Sequence, residues 1–159
     1  LSYMQTGLVH LHSVLRWVIL ILLVISIIKA YQGFKSGQPF KDGDRKTWLF
    51  TMIAAHVTLL IGLYQWLLGR YGLISMHLPE GAAIPEGKFL RFYQIEHPVI
   101  MILSIILITL GYGMAKKQVD DKVKYRKALS YFIYALVLIL LGIPWPFREV
   151  IGRTLFPGM

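Results

Sequence analysis

Cysteine is absent from this sequence of 159 residues. The chain therefore forms no disulfide framework, no thiolate–metal or iron–sulfur site, and no covalent c-type haem attachment. Acidic residues are also few, because eight Asp and Glu stand against seventeen Lys and Arg. No HExxH zinc-hydrolase motif and no glycine-rich phosphate loop occurs. Any metal-containing cofactor would have to be held non-covalently by side chains other than cysteine.

Apolar residues are in excess, at 56% of the chain, and they are concentrated in long runs. A membrane-spanning helix needs about 20 such residues, and four runs reach or approach that length. The runs show no period-two alternation, and an open sheet cannot satisfy its edges in lipid. We therefore predict an all-α, four-helix transmembrane bundle. It forms a single integral-membrane domain over residues 1–159, with spans at about 8–30, 47–68, 90–114 and 128–143 and an interfacial C-terminal tail at 144–159.

The positive charge lies mostly in two connections between the predicted spans. With their flanks, the 1–2 and 3–4 connections hold eleven of the seventeen basic residues, and such loops remain in the cytoplasm. This places both termini and the 2–3 loop on the outer, periplasmic side of a bacterial inner membrane, in a multi-pass protein. Lipid phosphates account for the net charge of +9, so we expect the bilayer rather than nucleic acid as the partner.

Several residues mark the ends of the predicted helices. No basic region precedes the first apolar run, so we interpret 8–30 as a retained span rather than a signal peptide. Trp48 and Trp66 are candidate interfacial anchors. Pro98 either opens the third helix at its first turn or kinks a longer helix. Pro144 ends the fourth helix, because its ring nitrogen has no hydrogen to donate.

Four of the five histidines fall in or beside the spans. At about 1.5 Å per residue, His10, His12 and His97 lie near the outer ends of their helices. His56 lies near mid-membrane, and His77 lies in the outer loop. Polar groups at such depth usually face the interior of a bundle.

A b-type haem is the cofactor that best suits this pattern. It needs two axial nitrogens at similar depth, a basic group near its propionates and small residues where the ring approaches the backbone. His97 matches His10 or His12 in depth, whereas pairing with His56 requires a tilted arrangement. Residues 10 and 12 point about 200° apart, so only one faces a given ligand. Arg16 shares a helix face with His12, and the small residues available are Ser13, Gly62 and Ser104.

Plainer interpretations of the same residues stay open. A single histidine in a membrane helix often serves only as an interhelical hydrogen-bonding group. Arg16 could pair with Glu96 near the outer surface instead of binding a propionate. Tyr64 and Gln65 could contact a quinone-like headgroup or form an ordinary polar seam.

Four stretches of the sequence stand out from the apolar runs: HSVLRW, AHVTLLIGLYQWLLGRYG, FYQIEHP and IPWPFREVIGRTLFPGM. Together they resemble a family of small four-helix membrane proteins catalogued as cytochrome b-like, over nearly the whole chain. The resemblance implies a b-type haem and a place near respiratory electron transfer. It makes His12, His56 and His97 the candidate ligands and Arg16 a propionate or buried-pair partner. The second and fourth spans lack a further histidine at matching depth, so the pattern of a two-haem cytochrome is not met.

Two functions follow as hypotheses. The first is a haem b electron-transfer subunit of a respiratory complex, which packs beside other membrane subunits and accepts electrons from a quinol. The second is a cofactor-free accessory subunit that stabilises a larger membrane complex. Neither is an enzyme on its own.

Overall fold

The computed structural model describes residues 2–78, 80–85 and 87–156, and within these ranges the chain is helical with no strand. A π-helical turn at Phe92–Glu96 joins α3 (Lys88–Arg91) to α4 (His97–Gly113), and a 3-10 turn at Met114–Lys116 follows α4, so that the third span is continuous. Four helices are long and apolar enough to cross a membrane, which confirms the predicted all-α architecture. The helices are α1 (Ser2–Ser36), α2 (Asp42–Leu68), α3 (Lys88–Arg91), α4 (His97–Gly113) and α5 (Asp121–Gly142).

The helices extend beyond the predicted spans, most of all at α1 and at the start of α5. Apolar runs mark only the part suited to lipid, and the flanking residues continue the helix because nothing in them breaks it. α1 ends where Gly37 adopts a φ of 66°, and the Gly37 amide donates to the Gly33 carbonyl. This is the left-handed conformation that glycine supplies after a helix. α5 ends two residues before Pro144, as predicted.

Each long helix packs against two neighbours. α1 packs against α2 and α5, and α4 packs against the same two helices. α1 and α4 therefore face each other across one diagonal of the bundle, so their inward side chains meet near its axis.

The inward positions recur at alternating steps of three and four residues. That spacing averages 3.5 residues, the repeat of left-handed helical bundles. In α2 the buried residues are Asp44, Trp48, Thr51, Ala55 and Thr58. In α5 they are Tyr125, Ala128, Phe132, Ala135, Ile139 and Gly142.

Trp48 corrects one prediction. It lies on the inward stripe of α2 and is fully buried, so it is not an anchor at the membrane surface. Its ring packs against Phe40, Tyr125 and Phe132, with ring centres 5.0, 6.0 and 5.4 Å away. Trp48 follows Asp44 by four residues and precedes Thr51 by three, so it lies on the same buried helix face as both.

The end of the bundle around Trp48, called here the closed end, is tightly packed. The buried carboxylate of Asp44 accepts a hydrogen bond of 2.6 Å from the Tyr125 hydroxyl and lies 3.4 Å from the Lys29 ammonium. Asp121 accepts from the Phe40 amide at 2.9 Å. The opposite end, called here the cavity end, holds the start of α1 and the end of α5 and is open.

Candidate functional site

A cavity of about 760 Å³ occupies the cavity end, within the range of small-molecule and cofactor sites. α1, α2, α4 and the last turn of α5 form its sides. The connection after α2 adds Met76, His77 and Leu78, and the C-terminal tail adds Arg153, Thr154 and Phe156. Most of the lining side chains are apolar, and a few polar groups converge among them.

His12 and His97 meet inside this cavity. Their ring centres are 6.2 Å apart, and their planes are inclined by 64°. The two residues come from α1 and α4, the helices on the diagonal, which places the pair near the bundle axis. The match in depth expected for these two histidines is therefore present in the structure.

A backbone carbonyl fixes the orientation of His97. Its Nδ1 lies 2.8 Å from the carbonyl oxygen of Gly142 on α5. Because a carbonyl can only accept, Nδ1 carries the proton and donates it. Nε2 then keeps its lone pair, and this arrangement is common for metal-ligating histidines.

His12 depends on the absence of a side chain at Gly62. A Cβ added there would lie 3.3 Å from His12 Cε1, closer than comfortable packing allows. The Nδ1 of His12 is buried without a hydrogen-bond partner among the described residues. Gly62 was expected to permit a close approach, and the structure shows that what approaches it is the His12 ring. Ser13 and Ser104 also line the cavity.

Pro98 lies within a continuous helix rather than at a helix start. It has no N–H to offer the Gln94 carbonyl one turn earlier. The indole N–H of Trp66 donates to that carbonyl instead, at 2.8 Å. The π-helical turn lies just before this break, and such turns are frequent at functional sites. The turn and the indole together hold His97 at its place on the cavity wall.

Positive charge collects around the cavity. Arg16, Arg70 and Arg153 line it, and no acidic residue does so in the part of the chain that the structure describes. The Arg16 guanidinium donates to the Leu155 carbonyl, but its Nε is buried without a partner among the described residues. The cavity therefore suits a ligand that carries negative charge at one end.

Glu96 does not pair with Arg16. Its carboxylate accepts from Arg91 Nε at 2.6 Å, on the far side of the π-helical turn. The alternative in which Arg16 and Glu96 neutralise each other is thus wrong, and the charge of Arg16 stays available to the cavity.

The other histidines lie elsewhere. His10 and His77 line the cavity but are exposed, and the ring contact with His97 is made by His12. His56 is not among the cavity-lining residues, and its Nδ1 lies 2.8 Å from the Met52 carbonyl of its own helix. The structure thus brings His12 and His97 together and leaves His56 apart.

The C-terminal tail forms a wall of the cavity, which sequence reasoning missed. Trp17 Nε1 joins Arg16 in donating to the Leu155 carbonyl, at 3.1 Å, and the Trp17 ring stacks on Phe156 with centres 5.6 Å apart. The Tyr93 hydroxyl donates to the Ile151 carbonyl at 2.7 Å. The available signal was the adjacent pair of long donors at positions 16 and 17, which need a nearby acceptor in an apolar region.

His12 and His97 bring two imidazole rings into one cavity, with their centres 6.2 Å apart. Imidazole nitrogens are ligands that haem iron accepts. No group of three or more His, Asp or Glu suited to a metal occurs among the described residues. A porphyrin supplies its own four nitrogens, so it needs only the pair.

Comparison with known proteins adds no relative. A scan of protein-family models, a search of curated proteins and a search of solved structures each found no match. The resemblance to the cytochrome b-like family stays a prediction, and the case for the site rests on the residues of this chain.

Proposed function

We propose that the chain is a membrane-embedded b-type haem protein that serves as an electron-transfer subunit of a respiratory complex in a bacterial inner membrane. The observation that carries the proposal is the His12–His97 pair, with ring centres 6.2 Å apart across the bundle diagonal. When bound, haem supplies reversible one-electron transfer at its iron.

Each residue of the site has a distinct task in this proposal. His12 and His97 would hold the iron, and the Gly142 carbonyl orients His97 by accepting a hydrogen bond from its Nδ1. Arg16 and Arg153 would pair with the propionates, because both are half-buried and line the cavity. The apolar side chains of α2 and α4 would keep water from the cofactor.

The charge pattern supports a position near the outer surface. The cavity end holds both described ends of the chain, whereas the basic connections lie at the closed end. By the positive-inside rule the cavity then opens on the periplasmic side. A donor or acceptor on that side is the expected redox partner, with larger membrane subunits beside the lipid-facing helices.

The first test is a reduced-minus-oxidised absorbance spectrum of protein purified from haem-replete cells. We expect a b-type α band, lost in His12→Ala and in His97→Ala. His56→Ala is the matched control and should keep the band, since His56 does not line the cavity.

An α band that survives the His12→Ala/His97→Ala double replacement would contradict the assigned ligands. A folded protein with no α band at all would favour the cofactor-free accessory subunit. In that case His12 and His97 would serve only as polar contacts between helices.

A further inference from the structure

A second polar feature of the cavity is not explained by haem ligation. Two glutamine amides, from α1 and α2, line the cavity and keep buried atoms without partners among the described residues. These atoms are Gln5 Oε1 and Gln65 Nε2. A buried polar atom left unpaired costs about 1–3 kcal/mol, so a ligand that pairs both atoms gains binding free energy.

The orientation of Gln5 is fixed by its neighbour. Its side chain is 7% exposed, and its Nε2 lies 3.1 Å from the Leu68 carbonyl. Because that carbonyl can only accept, the amide nitrogen must face it. Oε1 is therefore the free atom, and it calls for a hydrogen-bond donor on the ligand.

The two amides lie at the same corner of the bundle. Gln5 contacts Leu68, which follows Gln65 by three residues on α2 and so lies close to it. Gln5 precedes His12 by seven residues, so it shares the cavity-facing stripe of α1 and lies about 10 Å further along the helix. Gln65 likewise follows Gly62 by one turn. Both amides are thus displaced from the histidine pair toward the chain's N-terminal end of α1.

The surroundings of this corner are aromatic and apolar. Trp66, Tyr71 and Tyr93 line the cavity, together with Met76 and Leu78. Aromatic side chains favour stacked or edge-to-face contact with an aromatic ligand. The corner lies at the end of helices that are long and apolar enough to cross a membrane, which favours a lipid-soluble ligand.

We propose that Gln5 and Gln65 form a binding site for the hydroxyl-bearing ring of a lipid-soluble hydroquinone. One hydroxyl donates to Gln5 Oε1, and an oxygen of the ring accepts from Gln65 Nε2. Binding of the ring stands without haem, while its role as an electron donor rests on the proposed function.

The test is calorimetric titration of the purified protein, without oxygen, with a decyl-substituted hydroquinone and with its dimethyl ether. The ether keeps the ring and the tail but has no hydrogen to donate. We expect saturable binding of the hydroquinone and at least tenfold weaker binding of the ether. This comparison needs no mutation, so it does not depend on whether a variant folds.

Variants then assign the contact. In Gln5→Leu/Gln65→Leu the hydroquinone should bind about as weakly as the ether. Gln32→Leu, which changes an exposed amide on α1 far from the cavity, should keep the full difference. Equal binding of the two probes by the natural chain would overturn the site, and so would an undiminished difference in the double variant.

A spectrum of each sample separates this inference from the proposed function. Haem present without hydroquinone binding would overturn the inference alone. Hydroquinone binding without haem would uphold the site and overturn the proposed function.

Discussion

A histidine ring has two nitrogens, and the partner of one decides what the other can do. In His97 the Nδ1–H donates a hydrogen bond to the Gly142 carbonyl, which leaves Nε2 with a lone pair directed away from α5. Among the described residues His12 has no such partner at Nδ1, and the space at Gly62 sets its position. The Gly142 carbonyl and the lack of a side chain at Gly62 thus set the positions of the two histidine rings.

The sequence predicted which histidines lie at similar depth, but not the groups that hold the site residues in position. Counting residues from the ends of the apolar runs placed His12 and His97 at similar depth. The Gly142 carbonyl and the Leu155 carbonyl could not be predicted, because a backbone acceptor on another segment leaves no mark in residue type. The charge of Arg16 suggested Glu96 as its partner, yet Glu96 bonds the nearer Arg91.

Gly62→Val tests how His12 is positioned. A valine has one strongly preferred rotamer in a helix, and its methyl groups would push the His12 ring away from His97. We expect haem content per chain to fall at least tenfold, as measured by absorbance of the purified protein. Gly113→Val is the control, because within the part of the chain that the structure describes a Cβ there meets nothing within 4 Å. Equal haem content in the two variants would show that His12 does not need this space.

Between helices, glycines let aromatic rings reach the opposing backbone. A Cβ at Gly33 of α1 would overlap the ring of Tyr125, and one at Gly111 of α4 would overlap Phe132. Tyr125 and Phe132 are both fully buried on α5. These contacts let α1 and α4 pack closely against α5. They therefore help to set the positions of the two helices that carry His12 and His97.

Gly33→Ala should therefore destabilise the bundle, although alanine is the better helix former. Overpacking of a filled core costs about 1–3 kcal/mol, more than the roughly 0.5–1 kcal/mol that alanine gains in a helix. We expect a lower thermal unfolding midpoint by circular dichroism in detergent. A Cβ at Gly7 on the same helix meets no atom of the described residues within 4 Å, so Gly7→Ala should not lower the midpoint. A midpoint unchanged by Gly33→Ala would mean that α1 and α5 can separate at no cost.

The number and order of the helices followed from the apolar runs, since lipid allows few alternatives. The inward stripes were also present in the sequence as steps of three and four, and that spacing would have shown Trp48 to be buried. The π-helical turn could not be predicted from the sequence, because Pro98 indicates only that one backbone N–H donor is missing from the helix. Which group replaces that donor, here Trp66, depends on how α2 packs.

The whole molecule has two unlike ends. The closed end is filled by aromatic rings and the Asp44–Tyr125 hydrogen bond, and the cavity end is lined by arginines without acids among the described residues. The basic connections lie at the closed end. The basic connections and the cavity therefore lie at opposite ends of the bundle.

The orientation can be measured because the chain has no cysteine of its own. In intact cells, a membrane-impermeant maleimide should label Ser75→Cys, in the connection after α2. Ser36→Cys, at the end of α1, should react only after permeabilisation. The reverse result would place the cavity on the cytoplasmic side and remove the proposed periplasmic redox partner.

In the proposed function one chain holds one haem, through His12 and His97 together. A pyridine haemochrome assay, quantified against protein concentration, tests it most directly. We predict one haem b per chain, falling to a small fraction when His12 and His97 are both replaced by Ala. A value near one haem per two chains would indicate a haem shared between subunits, and no haem from haem-replete cells would contradict the account altogether.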